Sequence, residues 1–262
     1  PRRSSWCPSG IEDVNHVKDL SWPYEEVTIE GFDGAQIATW FVKSEKAAKA
    51  CIVLLHGHRK NKIQMLCHGE YLREAGYDLL FMDMRHHGDS SNAPYALGAY
   101  TRRDIKAIVD WLGNQKRTKD SKLGAFGISL GGTSAIAAAL DGVPFQAIVA
   151  DSPSANQAET LADYGAILYC VPRFLSRIFL SIAMNMAGID FSCMLLEERL
   201  INVQLPILLL HGAKDSRVSI EHSERLYAVP PMEKKSLVTF AQSDHVGGFK
   251  EDPEKYRESV LT

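Results

Sequence analysis

The chain has little of what marks a membrane span, a disulfide scaffold or a nucleic-acid binder. Its most apolar stretch, 164–189, is broken by Pro172, Arg173, Arg177 and Asn185, whereas a spanning helix needs about 20 mostly uncharged residues. No apolar segment of a secretory signal stands near the start. Cys7, Cys51, Cys67, Cys170 and Cys193 form an odd set without a CxxC pair, which argues against a disulfide framework and for a reducing, cytoplasmic setting. Lys and Arg number 29 against 32 Asp and Glu, a net charge of −3, so the clustered positive surface that phosphate backbones require is not expected. The longest basic cluster, Lys116-Arg117-Thr118-Lys119, reads as a solvated helix end. No GxGxxG or P-loop opens a helix, which leaves nucleotide cofactors without a cradle. Internal repeats and low-complexity segments are also missing. With 45% hydrophobic and 23% charged residues over 262 positions, the chain has enough apolar surface for one full core.

What is present is an alternation of elements. Period-2 patterning flanks Asp33-Gly34 over 24–41, the signature of a hairpin. Continuous apolar runs at 50–55, 77–82, 122–126, 145–150 and 206–210 suit strands covered on both faces. Between them, 63–75, 101–115 and 130–140 carry helical periodicity, as do 219–228 and 254–261 later, with an extended run at 235–240. Strands separated by helices of this length predict an α/β fold with a mostly parallel sheet. The rhythm fails between 152 and 205, a stretch rich in Leu, Ile, Met, Phe and Tyr. So long a structureless loop is unusual, and two or three helices laid over the sheet edge as a cap are expected there. The implied organisation is an extension over 1–23, a core over 24–153 and 203–262, and a helical cap over 154–202.

Open parallel sheets place reactive groups at the carboxyl ends of their strands. The sharpest such end is Gly127-Ile128-Ser129-Leu130-Gly131-Gly132, with a strand before it and an Ala-rich helix after. A serine on so tight a strand-to-helix turn projects its hydroxyl from strained backbone, and glycines on either side remove Cβ atoms that would collide. A Gly-Ser turn that merely caps a helix is the plainer use of the same residues. A serine hydroxyl needs a base and the base needs a carboxylate. Asp215 and His245 follow Ser129 in the required order, each just past a strand. Asp151, also at a strand end, is the rival acid, Asp244 is too close in sequence to face His245, and Asp83 is expected to tie down the turn that follows it. Leu130 and His58 are the expected backbone donors to an oxyanion, with Arg59 the neighbouring alternative. His56, His58, His86 and His87 invite a zinc reading, but no third ligand has suitable spacing. No cofactor and no metal are therefore expected.

His56-Gly57-His58, Asp83-Met84-Arg85-His86-His87-Gly88-Asp89-Ser90, the Gly127–Gly132 turn, His211-Gly212-Ala213-Lys214-Asp215 and Ser243-Asp244-His245 occur in that order. Through them the chain resembles the α/β-hydrolase superfamily from Tyr24 onward, in its serine-aminopeptidase-like and carboxylesterase-like branch. The resemblance implies an eight-stranded sheet with an antiparallel second strand, a cap inserted after the sixth strand and a cofactor-free acyl-enzyme mechanism. It departs from its relatives at Arg85-His86-His87-Gly88, where they often carry Arg-Gly-His-Gly. Some relatives have an N-terminal membrane anchor, and Arg2-Arg3 is compatible with the flank of one.

The expected activity is carboxylic ester cleavage on Ser129, with a small-molecule acyl ester as partner. Peptidase, thioesterase and acyltransferase chemistry share the same intermediate and stay open, as does a ligand-binding protein without turnover. A serine at the turn counts against the dehalogenases and epoxide hydrolases of the superfamily, which use a carboxylate there. The apolar cap is expected to line the acyl pocket, with a dimer contact or a membrane contact as alternatives.

Overall fold

Along the central strands, alternate side chains enter two different cores, one on each face of the sheet. On the third strand Val53 and Leu55 face one layer and Leu54 the other; on the fourth, Leu80 and Met82 oppose Leu79 and Phe81. Side chains of successive strand residues point to opposite faces, so a continuous apolar run is what a doubly covered strand requires.

The computed structural model describes residues 16–45, 47–169, 171–201 and 203–262; the readings placed on Arg2-Arg3, Cys7 and Cys170 lie outside them. The elements run β1 (Tyr24–Glu30), β2 (Gln36–Val42), β3 (Cys51–Leu55), α1 (Leu66–Glu74), β4 (Asp78–Met82), α2 (Thr101–Asn114), β5 (Leu123–Ile128), α3 (Leu130–Leu140), β6 (Ala147–Asp151), α4 (Gln157–Tyr169), α5 (Arg173–Ala187), α6 (Leu196–Arg199), β7 (Ile207–Gly212), α7 (Glu221–Ala228), β8 (Lys235–Phe240), α8 (Gly248–Glu251) and α9 (Pro253–Leu261). They form one eight-stranded sheet in the order β1-β2-β4-β3-β5-β6-β7-β8. β2 is antiparallel to both its neighbours, and every pairing from β4 to β8 is parallel. This is the α/β-hydrolase fold.

Helices cover both faces. Ile105 and Ile108 of α2, Ala135 to Ala138 of α3 and Leu226 of α7 fill one layer. Leu66 and Tyr71 of α1, Phe249 of α8 and Tyr256 of α9 fill the other. Val17, on a 3-10 turn at Val17–Leu20, is buried in this second layer as well. The expected helix over 63–75 is divided in two: a 3-10 turn at Lys62–Met65, capped by the Asn61 side chain, leads into α1.

Two charged clusters fix the loops at the carboxyl ends of the strands. The fully buried Arg85 guanidinium donates to both Asp104 oxygens at 2.7 Å and to Asp33 at 2.8 and 2.9 Å. It thereby joins the loop after β4 to the β1–β2 turn and to α2. Asp83 accepts from the Lys62 ammonium at 2.5 Å and from the Asp89 amide at 2.8 Å, so it ties down the turn that follows it. In that turn His86 adopts φ 66°, in the left-handed region that favours glycine.

Two expectations are corrected. The basic cluster after α2 is not simply solvated, because Arg117 makes a bidentate pair, at 2.6 and 2.8 Å, with the buried carboxylate of Asp78. Cys51 and Cys193 are free thiols, but Cys67 is disulfide-bonded, which runs against a fully reduced set of cysteines. Among the described residues no helix is long and apolar enough to cross a membrane.

Between β6 and β7, where the rhythm of the sequence fails, α4 and α5 pack on each other and a 3-10 turn leads to the short α6.

Candidate active site

The turn after β5 is built by close approach. A Cβ at Gly127 would lie 2.3 Å from the carbonyl carbon of Gly131, and one at Gly131 would lie 2.3 Å from the Leu55 carbonyl oxygen. Only glycine at both places lets β5 turn at once into α3 while α3 rests against the end of β3. Between them Ser129 is forced to φ 52°, ψ −118°, a conformation whose strain is of order 1–3 kcal/mol and which needs support from its surroundings. The Ser129 amide supplies part of that support by donating to the Asp151 carbonyl at 2.7 Å, and the Ser129 carbonyl accepts from the Thr133 amide at 3.0 Å.

The Ser129 hydroxyl meets the imidazole of His245, with Oγ 2.9 Å from Nε2. The other ring nitrogen of His245, Nδ1, lies 2.7 Å from Asp215 Oδ2. A carboxylate oxygen only accepts, so the proton sits on Nδ1 and leaves Nε2 free to accept from the serine hydroxyl. Asp215 is held by more than His245. Its Oδ1 accepts from the amides of Arg217 and Val218, both at 2.9 Å, and Oδ2 lies 3.3 Å from Nε2 of the buried His211. Burial alone would raise the Asp215 pKa, but hydrogen bonds from His211 and His245 outweigh it and hold the carboxyl well below the usual carboxylate range.

In the sequence His211 stands out only as the first residue of the His211–Asp215 motif. Its Nε2–H donates to the Val218 carbonyl at 2.9 Å, and its Nδ1 lies 2.7 Å from the Ser223 hydroxyl on α7. The ring is thereby fixed between α7 and the loop that carries Asp215. The spacing of His211 and Asp215, four residues apart across a strand end, was the available signal.

Asp151 does not meet His245. Its carboxylate accepts from Tyr256 Oη at 2.7 Å and from Ser152 Oγ at 2.9 Å, and burial raises its pKa despite those bonds. Asp244 turns to Ser216, accepting from its amide at 2.8 Å and its hydroxyl at 3.0 Å. Asp83 is engaged with Lys62 on the far side.

His58 and Leu130 line one cavity with Ser129. Neither the His58 nor the Leu130 N–H has an acceptor among the described residues, whereas the Arg59 N–H donates to His87 Nε2 at 3.1 Å. The Arg59 amide is therefore occupied. His87 Nδ1–H donates in turn to the Arg85 carbonyl at 2.9 Å. His56 works in the same way: Nδ1–H donates to the Gly57 carbonyl at 2.7 Å and Nε2 accepts from the Met84 amide at 3.0 Å. Burial pushes the His56 pKa down to about 3, so it stays neutral and bonds one strand-end loop to the next. The His58 ring stacks on Tyr95, with Nδ1 2.7 Å from the phenol oxygen. Among the described residues no group of three His, Cys, Asp or Glu side chains could hold a metal ion.

A cavity of about 540 Å³ opens over Ser129 and His245, roofed by Leu161 and Tyr164 of α4 and walled by Tyr95 and Leu97. A second, more open cleft of about 680 Å³ lies along α5 and the 188–195 turn and contains none of the residues around Ser129.

Solved structures with this architecture include an esterase, Pf2001, of Pyrococcus furiosus, which superposes with a TM-score of 0.73 at 24% identity over 93% of this chain and 92% of its own. An esterase of Exiguobacterium antarcticum gives 0.65 at 20% identity, over 90% and 98%; at such identities the likeness is one of fold. By sequence, the YfhR protein of Escherichia coli O157:H7 is 26% identical over 249 residues, 92% of this chain and 80% of its own. The YqkD protein of Bacillus subtilis is 25% identical over 217 residues, 80% and 69%. Residues 70–261 match the model of the prolyl oligopeptidase family, a span that takes in the Ser129 turn, Asp215 and His245, and the chain belongs to that family.

Proposed function

We propose that this protein is a serine hydrolase that cleaves carboxylic esters through an acyl-enzyme on Ser129. The observation that carries the reading is the continuous line from Asp215 through His245 to the Ser129 hydroxyl, with spacings of 2.7 and 2.9 Å, at the floor of a cavity. As Ser129 Oγ adds to the acyl carbon, its proton passes to His245 Nε2. Asp215 fixes the ring tautomer and stabilises the imidazolium. The carbonyl oxygen becomes an oxyanion between the amides of Leu130 and His58. Such preorganised donors are worth roughly 10²–10³ in rate each. When the intermediate collapses, the C–O bond to the alcohol breaks and the alcohol leaves with the proton from His245. Water then gives a proton to the same nitrogen, adds its oxygen to the acyl carbon and releases the acid, returning Ser129 to its starting state. In this reading α4 is the part of the cap that lines the acyl pocket.

Ser129→Ala should lower p-nitrophenyl ester turnover by about 10⁴-fold or more with an unchanged circular dichroism spectrum. Undiminished turnover would exclude the mechanism. Amide cleavage is the second reading, favoured by membership of a family named for a peptidase. It uses the same residues, with an amine leaving in place of the alcohol. Matched ester and amide substrates of one acyl group separate the two.

A further inference from the structure

The cavity above Ser129 carries charge of only one sign. Arg59 and Lys60, from the loop after β3, and Arg217, from the loop after β7, line it together with Ser129, and no Asp or Glu is among its lining residues. All three cations are exposed at the cavity rim, and none has an ion-pair partner among the described residues. Several cations outside the cavity are paired. Lys62 pairs with Asp83, Arg85 with Asp104, Arg117 with Asp78 and Arg225 with Glu197. A chain whose net charge is −3 thus gathers three uncompensated positive side chains around one concave site.

Two carboxylates stand near Arg217, and neither forms an ion pair with it or lines the cavity. Asp215 is buried beneath the site, with its oxygens engaged by His211, His245 and two backbone amides. Asp244 is committed to Ser216. Burial raises the Tyr164 phenol on the roof; Arg217 draws it the other way, ahead of the smaller opposing effects of Asp215 and Asp244. A cleft lined by one sign of charge with low-dielectric walls focuses its field and concentrates ligands of the opposite sign.

We infer that the substrate is an ester bearing a second, anionic group, a carboxylate or a phosphate, held at the rim by Arg217, Lys60 and Arg59 while the acyl carbon lies over Ser129. The inference rests on the serine-hydrolase reading and names its substrate class. The anion takes no part in bond making; it orients the ester and leaves with whichever product carries it. Arg59 and Lys60 follow the His58 amide, and Arg217 follows Asp215, so the cations flank the reacting centre from two sides.

The test compares kcat/KM for two matched pairs of esters. p-Nitrophenyl hemiglutarate against p-nitrophenyl valerate places the anion on the acyl side, and a monobutyryl glycerol phosphate against monobutyryl glycerol places it on the alcohol side. At least one anionic member should exceed its neutral partner by about tenfold or more at low salt, with the advantage shrinking in 0.5 M NaCl. In the Lys60→Gln/Arg217→Gln double variant the ratio should fall toward one. Circular dichroism first shows the variant to be folded like the unaltered protein, with the single variants Lys60→Gln and Arg217→Gln in its place where it is not, and an unchanged ratio in a folded variant overturns the inference. So does the absence of any preference in the unaltered protein. If the unaltered protein cleaves none of the four esters, the hydrolase reading fails instead. Calorimetric titration with glutarate then tests the rim alone: binding lost in the double variant supports it, and absent or unaffected binding overturns it.

Discussion

The floor and the roof of the cavity are made in different ways. The floor, formed by the Ser129 turn and the loops after β3, β7 and β8, is held by backbone contact and buried hydrogen bonds. The roof, α4, is held by packing against a second helix, α5. On the floor there is no room for a methyl group at Gly127 or Gly131. Behind the roof α5 leaves Phe174 63% and Met186 84% exposed, and a Cβ at Gly165 of α4 would meet nothing nearer than Ser176 at 3.6 Å. The floor can therefore fix reacting atoms to within tenths of an ångström, whereas the roof shapes the space above them and can vary with less consequence for the chemistry.

The largest expected effect separates two aspartates of the floor. Asp215→Asn should lower kcat by roughly 10³–10⁴-fold, since an amide no longer fixes the His245 tautomer. Asp151→Asn, which touches Tyr256 and Ser152 but not His245, should leave kcat within about tenfold while lowering stability by about 1–3 kcal/mol. Steady-state kinetics and urea denaturation of both variants check this. Equal losses of kcat would remove the distinction between them.

Next in size is a pair of glycine substitutions. Gly131→Ala forces a Cβ against the Leu55 and His56 carbonyls and should destabilise the protein by about 3 kcal/mol or prevent folding. Gly165→Ala, in a helix interior with room for the methyl group, should raise stability by up to about 1 kcal/mol. Thermal melts of the two variants moving in the same direction would contradict the contrast between floor and roof.

Acid should loosen the floor as well. Burial holds His56 and His68 down to about 3, against an ordinary 6.5. Between those values the unfolded chain binds protons that the folded one refuses, so stability is undiminished above pH 6.5 and falls as the pH drops toward 3. Each ring contributes a slope of about 1.4 kcal/mol per pH unit in that window. His68 lies among Phe126, Phe249 and Tyr256, and His68→Phe should remove about 1.4 kcal/mol per pH unit from the slope seen in urea titrations below pH 6.5. A slope unchanged by this substitution would rule out His68 as its source.

The smallest effect belongs to the roof. Leu161→Ala should change the acyl chain-length preference by about tenfold in kcat/KM, with little change in the rate on the shortest esters. A uniform loss across the series would mean that Leu161 acts on the floor.

The strands and most helices were legible in the sequence because both cores demand period-2 and period-3.6 patterns; 130–140 and 235–240 coincide with α3 and β8. The division of 63–75 into a 3-10 turn and a helix was not, since Asn61 caps the turn from outside the apolar pattern. In the site, Ser129, Asp215 and His245 stood out through their glycines and their order along the chain. The choice of Asp215 over Asp151 depends on where a carboxylate points, which spacing does not encode. The support from His211 and the occupation of the Arg59 amide by His87 depend on rings that approach from remote loops. The pairing of Arg117 with Asp78 escaped for the same reason.

The most direct measurement is labelling with a fluorophosphonate probe, followed by peptide mass mapping and repeated on His245→Gln. A single adduct on Ser129, formed at least 10³-fold more slowly in the variant, is the predicted result. Labelling at another residue, no labelling at all, or a rate indifferent to His245 would contradict the proton line from Asp215 to Ser129.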